Sequence, residues 1–300
     1  MKQTWKAGVV GAGVFGGFHA RKYAALSDVE LAAVFDPDAA RAQALAGELG
    51  ARAFTELDPF LGAAEDLVTI ASPAFTHYAI ASHALARGRH VYVEKPLATD
   101  IADARLLVQT ARAEGLVLAV GHQERVVFRA MRLLDAPEAP LELNAVRRGT
   151  PSERNRDVSC VLDLMIHDID LAIALDPSPV AAIEAEGTAD EAGARITFES
   201  GGSAKFEASR IAERRERTMR VAFPSGELNI DFLTLDFANT TRFPLNPGFA
   251  GTAEGKDPLG TSVSEFVAAV RGGRDRPLVS GADTLRALDA ALRIDRILTA

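Results

Sequence analysis

The chain predicts an α/β fold in two parts: a doubly wound parallel sheet first, then an α+β domain with an open, mainly antiparallel sheet. Three observations predict it. Apolar runs alternate with Ala-rich helical stretches up to about Gly121, and short period-two segments joined by turn signals follow. A glycine motif, Gly11-Ala-Gly-Val-Phe-Gly16, sits between the first strand and the first helix. The expected domains are therefore 1–121, binding a dinucleotide on a Rossmann sheet, and 122–300, binding substrate and making oligomer contacts. The final helix is expected to pack back on the first domain.

Lys6–Val10 reads as a buried strand, Val14–Leu26 as a helix and Leu31–Phe35 as the next strand, ending at Asp36. Further strands are expected at Leu67–Ala71, His90–Val93 and Leu116–Val120, with helices at Ala39–Leu49, Thr76–Arg87 and Ile101–Glu114. Ser27-Asp28, Gly50, Gly88 and Gly115 punctuate the joints. Beyond Gly121, Leu141–Arg147 alternates as a half-buried strand does, and Ser159–Leu175 reads as a helix. Val180–Gly187, Ala194–Glu199, Ser203–Ile211, Arg217–Phe223 and Glu227–Asp231 predict an antiparallel meander. Phe243–Gly260, rich in Pro and Gly, predicts a long surface loop before two closing helices, Thr261–Arg271 and Ala282–Leu298.

The 300 residues are 48% hydrophobic and 25% charged, an ordinary globular composition. No apolar run is long enough to span a membrane, and the N-terminus passes into the first strand without a secretory segment. A single cysteine, Cys160, fits a reducing cytoplasm and gives no disulfide. A net charge of -8 excludes nucleic acid as the expected partner and leaves a small molecule.

The glycine motif carries the first chemistry. Gly11 allows the tight turn, Gly13 lets backbone approach a pyrophosphate, and Gly16 lets the helix pack on the sheet. The helix N-terminus turns its N–H groups toward the phosphates. Asp36, 20 residues after Gly16, suits the ribose hydroxyls of NAD and repels the 2'-phosphate of NADP. NAD is the expected cofactor, with NADP possible if a neighbouring arginine such as Arg41 reorganises the site.

Proton-handling candidates lie further on. Glu94-Lys95-Pro96 follows a strand, placing Lys95 at the carboxyl edge where a nicotinamide lies. A desolvated lysine there exchanges a proton with a substrate hydroxyl, whereas a solvated one is merely a loop cation. On a helix, Asp163, His167 and Asp170 share one face, at i, i+4 and i+7. His167 is then a base or acid with Asp163 orienting it, or the two form a structural pair. No further ligand cluster completes a metal shell, so no metal is expected. Asp168 points off the stripe, toward the surface or a domain contact. His77 follows Ser72-Pro73 as a wall of the cofactor site, and His19 is expected to pack or to bond helix to sheet. His122-Gln123-Glu124-Arg125 is expected near the nicotinamide or substrate. Arg147, Arg148, Arg154, Arg156, Arg210, Arg214, Arg215, Arg217 and Arg220 are expected on solvated faces, one or two of them holding an anionic group.

Together, Gly11–His19, Ala71–His77, Gly88–Leu97, Asp163–His167 and the closing Arg271–Leu288 resemble the Gfo/Idh/MocA oxidoreductases along essentially the whole chain. The resemblance implies hydride transfer between NAD(P) and a hydroxyl of a sugar, cyclitol or sugar derivative, in a homo-oligomer, dimer or tetramer, joined through the C-terminal sheet. Lys95, Asp163 and His167 match the family's catalytic residues. The implied cofactor site comprises Gly11, Gly13, Val14, Phe15, Gly16, Asp36, Ser72, Pro73, His77, Glu94, Lys95 and Gln123. The implied substrate site comprises Lys95, Arg125, Asp163 and His167. Met165–Asp170 is similar to bacterial members that oxidise the 3-hydroxyl of UDP-N-acetylglucosamine. His122–Phe128 lacks the Asn-Pro that ends the matching motif in some members. A non-catalytic NAD(P) sensor and an NAD-using glycosidase are the alternatives.

Overall fold

A computed structural model describes residues 4–151 and 157–300. The chain divides into two compact units, one running to Gly121 and including Leu259–Asp283, the other formed by His122–Pro258 and Thr284–Ala300.

In the first unit β1 (Trp5–Val10), α1 (Val14–Ala24), β2 (Val29–Phe35), α2 (Ala39–Leu49), β3 (Arg52–Phe54) and α3 (Leu57–Ala63) lead to β4 (Leu67–Ile70). Then come α4 (His77–Ala86), β5 (His90–Glu94), α5 (Ile101–Ala113) and β6 (Leu118–Gly121). The six strands are parallel in the order β3-β2-β1-β4-β5-β6. Strand order reverses between β1 and β4, which creates the crevice where such sheets bind ligands. β4 is buried along its whole length, as a strand with helices on both faces must be. Inside, the Tyr23 hydroxyl meets Thr69 Oγ1 at 2.8 Å, satisfying a phenol whose pKa is raised by burial.

The second unit holds α6 (Glu124–Ala130), β7 (Glu142–Arg148), α7 (Ile166–Leu175), β8 (Val180–Gly187), β9 (Glu191–Phe198) and β10 (Ser203–Ser209). It continues with β11 (Glu216–Phe223), β12 (Gly226–Asp231), β13 (Phe237–Asn239) and α8 (Ala253–Lys256). Its open sheet runs β13-β12-β11-β7-β10-β9-β8. This is no simple meander. β7 inserts between β11 and β10 and pairs with β10 in parallel, while the remaining pairs are antiparallel. Period-two alternation fixes which face of a strand is buried but not its neighbour, so the insertion left no trace in the pattern.

Two helices close the chain. α9 (Pro258–Val270) sends Val263, Phe266 and Val267 into the first unit's core, and its Ser262 Oγ lies 3.0 Å from the Tyr92 hydroxyl. α10 (Gly281–Thr299) begins in the first unit and continues in the second, so the helix that returns to the first unit is the penultimate one. The surface loop expected at Phe243–Gly260 is instead partly built in. Phe243 and Phe249 are buried, Asn246 bonds to the carbonyls of Met131 and Ala130, and α8 and the start of α9 fall within it. Two phenylalanines among prolines and glycines anchor the segment. Among the described residues no helix is long and apolar enough to cross a membrane.

Candidate active site

The first unit's candidate residues surround the end of β1. Gly11 turns with φ +96°, and its N–H donates to the Phe35 carbonyl at 2.7 Å. A side chain on Gly16 would place its Cβ 1.7 Å from the Gly11 carbonyl oxygen, so the helix approaches the turn at a distance only glycine permits. At Gly13 the same Cβ meets open space. The N-cap of α1 is Gly13, which has no side chain to cap the helix, and the helix's first residues Val14 and Phe15 are exposed. Asp36 is 7% exposed; its carboxylate accepts the Ala12 N–H at 2.8 Å and the Asp38 N–H at 2.9 Å, bracing the glycine turn. Each oxygen keeps a further lone pair for a hydroxyl donor. An open approach at Gly13, a helix that starts at this turn and an acid at the next strand end fit a dinucleotide's pyrophosphate and ribose.

The loops after β4 and β5 hold the remaining residues. Ser72 Oγ lies 2.7 Å from Thr76 Oγ1. His77 is buried, with Nδ1 2.7 Å from the Pro96 carbonyl and Nε2 2.9 Å from the Ser72 carbonyl. Both of its nitrogens thus face backbone carbonyls, which fixes the ring in place behind the loop. Glu94 is buried and accepts from His19 Nε2 at 2.7 Å, the helix-to-sheet bond expected of His19. Lys95 is half-buried at the end of β5, joined to Pro96 by a cis bond.

The second unit holds the other candidates. Val161–Met165 winds as a π-helical turn, the Ile166 N–H reaching back to the Val161 carbonyl, before α7 begins. The expected uniform α-helix is therefore wrong at Asp163, whose register to His167 is that of a wider turn. Asp163 and His167 are half-buried. Asp170 is 1% exposed and takes both forks of Arg125, Nε to Oδ2 and Nη2 to Oδ1, each at 2.7 Å. Its expected place on a narrow polar stripe with the other two is corrected: that carboxylate neutralises a part-buried cation. Arg125, expected to hold substrate, directs its fork at this carboxylate. His122 packs edge to face on His167, ring centroids 5.8 Å apart, with Nδ1 3.5 Å from Asp170 Oδ2. Gln123 is half-buried between His122 and α6.

Asp168 corrects a second expectation. It is 4% exposed, not superficial, and binds Arg147 through both oxygens, at 2.9 and 2.7 Å. Arg147 also reaches Glu124 Oε1 at 3.2 Å, and Arg217 binds the same oxygen. Burial holds Arg217 below the usual guanidinium range. Arg148, Arg210 and Arg220 pair with carboxylates; Arg148 and Arg220, with side chains 38% and 42% exposed, do so on the solvated face expected of them, while Arg147 is buried. Arg214 and Arg215 are exposed, and Arg154 and Arg156 lie outside the described residues. Burial pushes the Cys160 thiol up to about 12, which removes it as a nucleophile.

A parallel sheet with a glycine turn at its switch point, followed by an acid at the next strand end, defines a dinucleotide-binding protein of the oxidoreductase class. The model of the Gfo/Idh/MocA oxidoreductase family, with its NAD-binding Rossmann fold, matches residues 5–122. UDP-N-acetylglucosamine 3-dehydrogenase of Acidithiobacillus ferrooxidans is 36% identical, over 96% of this chain and 96% of its own. Inositol 2-dehydrogenase of Leifsonia xyli is 34% identical, over 60% of this chain and 56% of its own. A solved structure of the Acidithiobacillus ferrooxidans enzyme has a TM-score of 0.89 at 34% identity, covering 98% of this chain and 99% of that one. The chain belongs to the Gfo/Idh/MocA family and is an NAD-dependent oxidoreductase.

Proposed function

We propose that this enzyme moves a hydride between a carbinol carbon of a nucleotide sugar and NAD, with UDP-N-acetylglucosamine as the first substrate to try. The observation that carries the reading is whole-chain likeness to a UDP-N-acetylglucosamine 3-dehydrogenase, 96% of both chains against 60% of this one for the inositol relative. Bound NAD supplies the hydride acceptor. His167 takes the proton of the reacting hydroxyl, oriented by Asp163, and Lys95 stabilises the developing alkoxide charge. The π-helical turn supports a functional role for Asp163, because such turns recur at functional sites. Asp36 supports NAD over NADP. A free sugar or cyclitol is the second reading, favoured by the inositol dehydrogenase. A pure sensor has no need of Lys95, Asp163 and His167 together. The reading extends to a cytoplasmic homo-oligomer, dimer or tetramer, joined through the second unit's sheet.

NADH formation across UDP-N-acetylglucosamine, free sugars and inositols is the test, with NADH binding followed by fluorescence. Turnover strongest on the UDP-sugar is expected. Binding without turnover on any of them would replace the enzyme with a sensor.

A further inference from the structure

His77 opens α4 behind the loop that follows β4, and it is 1% exposed. Its two nitrogens address two different loops. Nε2 faces the Ser72 carbonyl at 2.9 Å, and Nδ1 faces the Pro96 carbonyl at 2.7 Å, one residue past Lys95. Carbonyl oxygens only accept and a neutral imidazole carries a single N–H, so the two bonds are made together only by the doubly protonated ring. The loop at the Ser72 end is itself fixed, since Thr76 Oγ1 donates to the Pro73 carbonyl at 2.7 Å and lies 2.7 Å from Ser72 Oγ. On the near side of Lys95, Glu94 pairs with Gly121 in the sheet and takes a 2.7 Å bond from His19. The Lys95 turn is thus clamped before the lysine by β5 and after it by His77.

We propose that His77 is a positioning residue for Lys95: its Nδ1–H bond to the Pro96 carbonyl fixes the turn that carries the lysine, and its bond to Ser72 anchors the ring. The proposal rests on the role given to Lys95 above.

Two substitutions separate the bonds. An asparagine amide nitrogen stands where Nδ1 does and keeps the Pro96 bond; a glutamine amide nitrogen stands where Nε2 does and keeps the Ser72 bond. With UDP-N-acetylglucosamine and NAD as probes, His77→Gln lowers kcat about 10- to 100-fold, the scale of a misplaced catalytic group, and His77→Asn recovers at least about fivefold of that loss. NADH affinity stays within about threefold of wild type in both, under 1 kcal/mol. Backbone hydrogen exchange over residues 95–98, which needs no substrate, speeds up in His77→Gln only. Equal kcat losses with weakened NADH binding in both variants would overturn the proposal and return His77 to the cofactor site. His77→Gln with wild-type turnover and exchange would also overturn it. Lys95→Ala in the same assay tells the two readings apart. If it keeps turnover, the role of Lys95 falls and the positioning role with it; if it loses turnover while His77→Gln does not, only the His77 proposal falls.

Discussion

In the first unit the candidate residues are arranged by backbone. Gly11 turns at positive φ, Gly16 lies against the Gly11 carbonyl, and Asp36 braces the turn through two N–H groups. In the second unit they are held by charge. Arg125 grips Asp170, Arg147 grips Asp168 and Glu124, and a π-helical turn carries Asp163. A backbone arrangement tolerates no added atom at its tight points, whereas a charge arrangement tolerates no missing partner. The two units should therefore fail differently.

The largest failure is expected at Gly16. Gly16→Val puts atoms where the Gly11 carbonyl stands and should weaken NADH binding by at least ~100-fold, about 2.7 kcal/mol, in a fluorescence titration. Gly13→Ala sharpens the contrast: its Cβ meets open space, so the melting temperature should hold while NADH binding weakens about tenfold. Equal loss of stability in both variants would mean that Gly13 serves the fold.

In the second unit, Asp168→Ala leaves Arg147 buried with only Glu124, and should cost about 3 kcal/mol in denaturant unfolding without changing NADH affinity. An unchanged unfolding midpoint would show that the pair is not what holds α7 to β7.

The smallest effect is a pH dependence at Asp295. Burial raises its carboxyl pKa, against the lowering effect of the Ser159 hydroxyl, which donates to it at 2.7 Å. A folded carboxyl that ionises less readily than the unfolded one costs stability at neutral pH, and the cost fades as pH falls through the raised value. Asp295→Asn should raise the melting temperature by about 1–2 °C at pH 7 and by less near pH 4. The same gain at both values would remove ionisation as the cause.

The same contrast explains what was legible in the sequence. The glycine turn, Asp36 and Lys95 were readable because each requirement is local: a turn, a close approach, a strand end. Asp168 and Asp170 were misplaced because their partners are 21 and 45 residues away, and no pattern along the chain links them. The π-helical turn escaped because Val161–Met165 has the composition of any buried helix. β3 and β13, three residues each, are too short to show alternation. The His77 bond to the Pro96 carbonyl was not legible either, since it reaches a residue 19 positions on.

Lys95→Ala tests the central claim most directly, assayed on UDP-N-acetylglucosamine with NADH affinity measured in parallel. Loss of the cation that stabilises the alkoxide predicts turnover down by about 10²–10³-fold with NADH affinity within about threefold of wild type. A Lys95→Ala enzyme that turns over at the wild-type rate would contradict it.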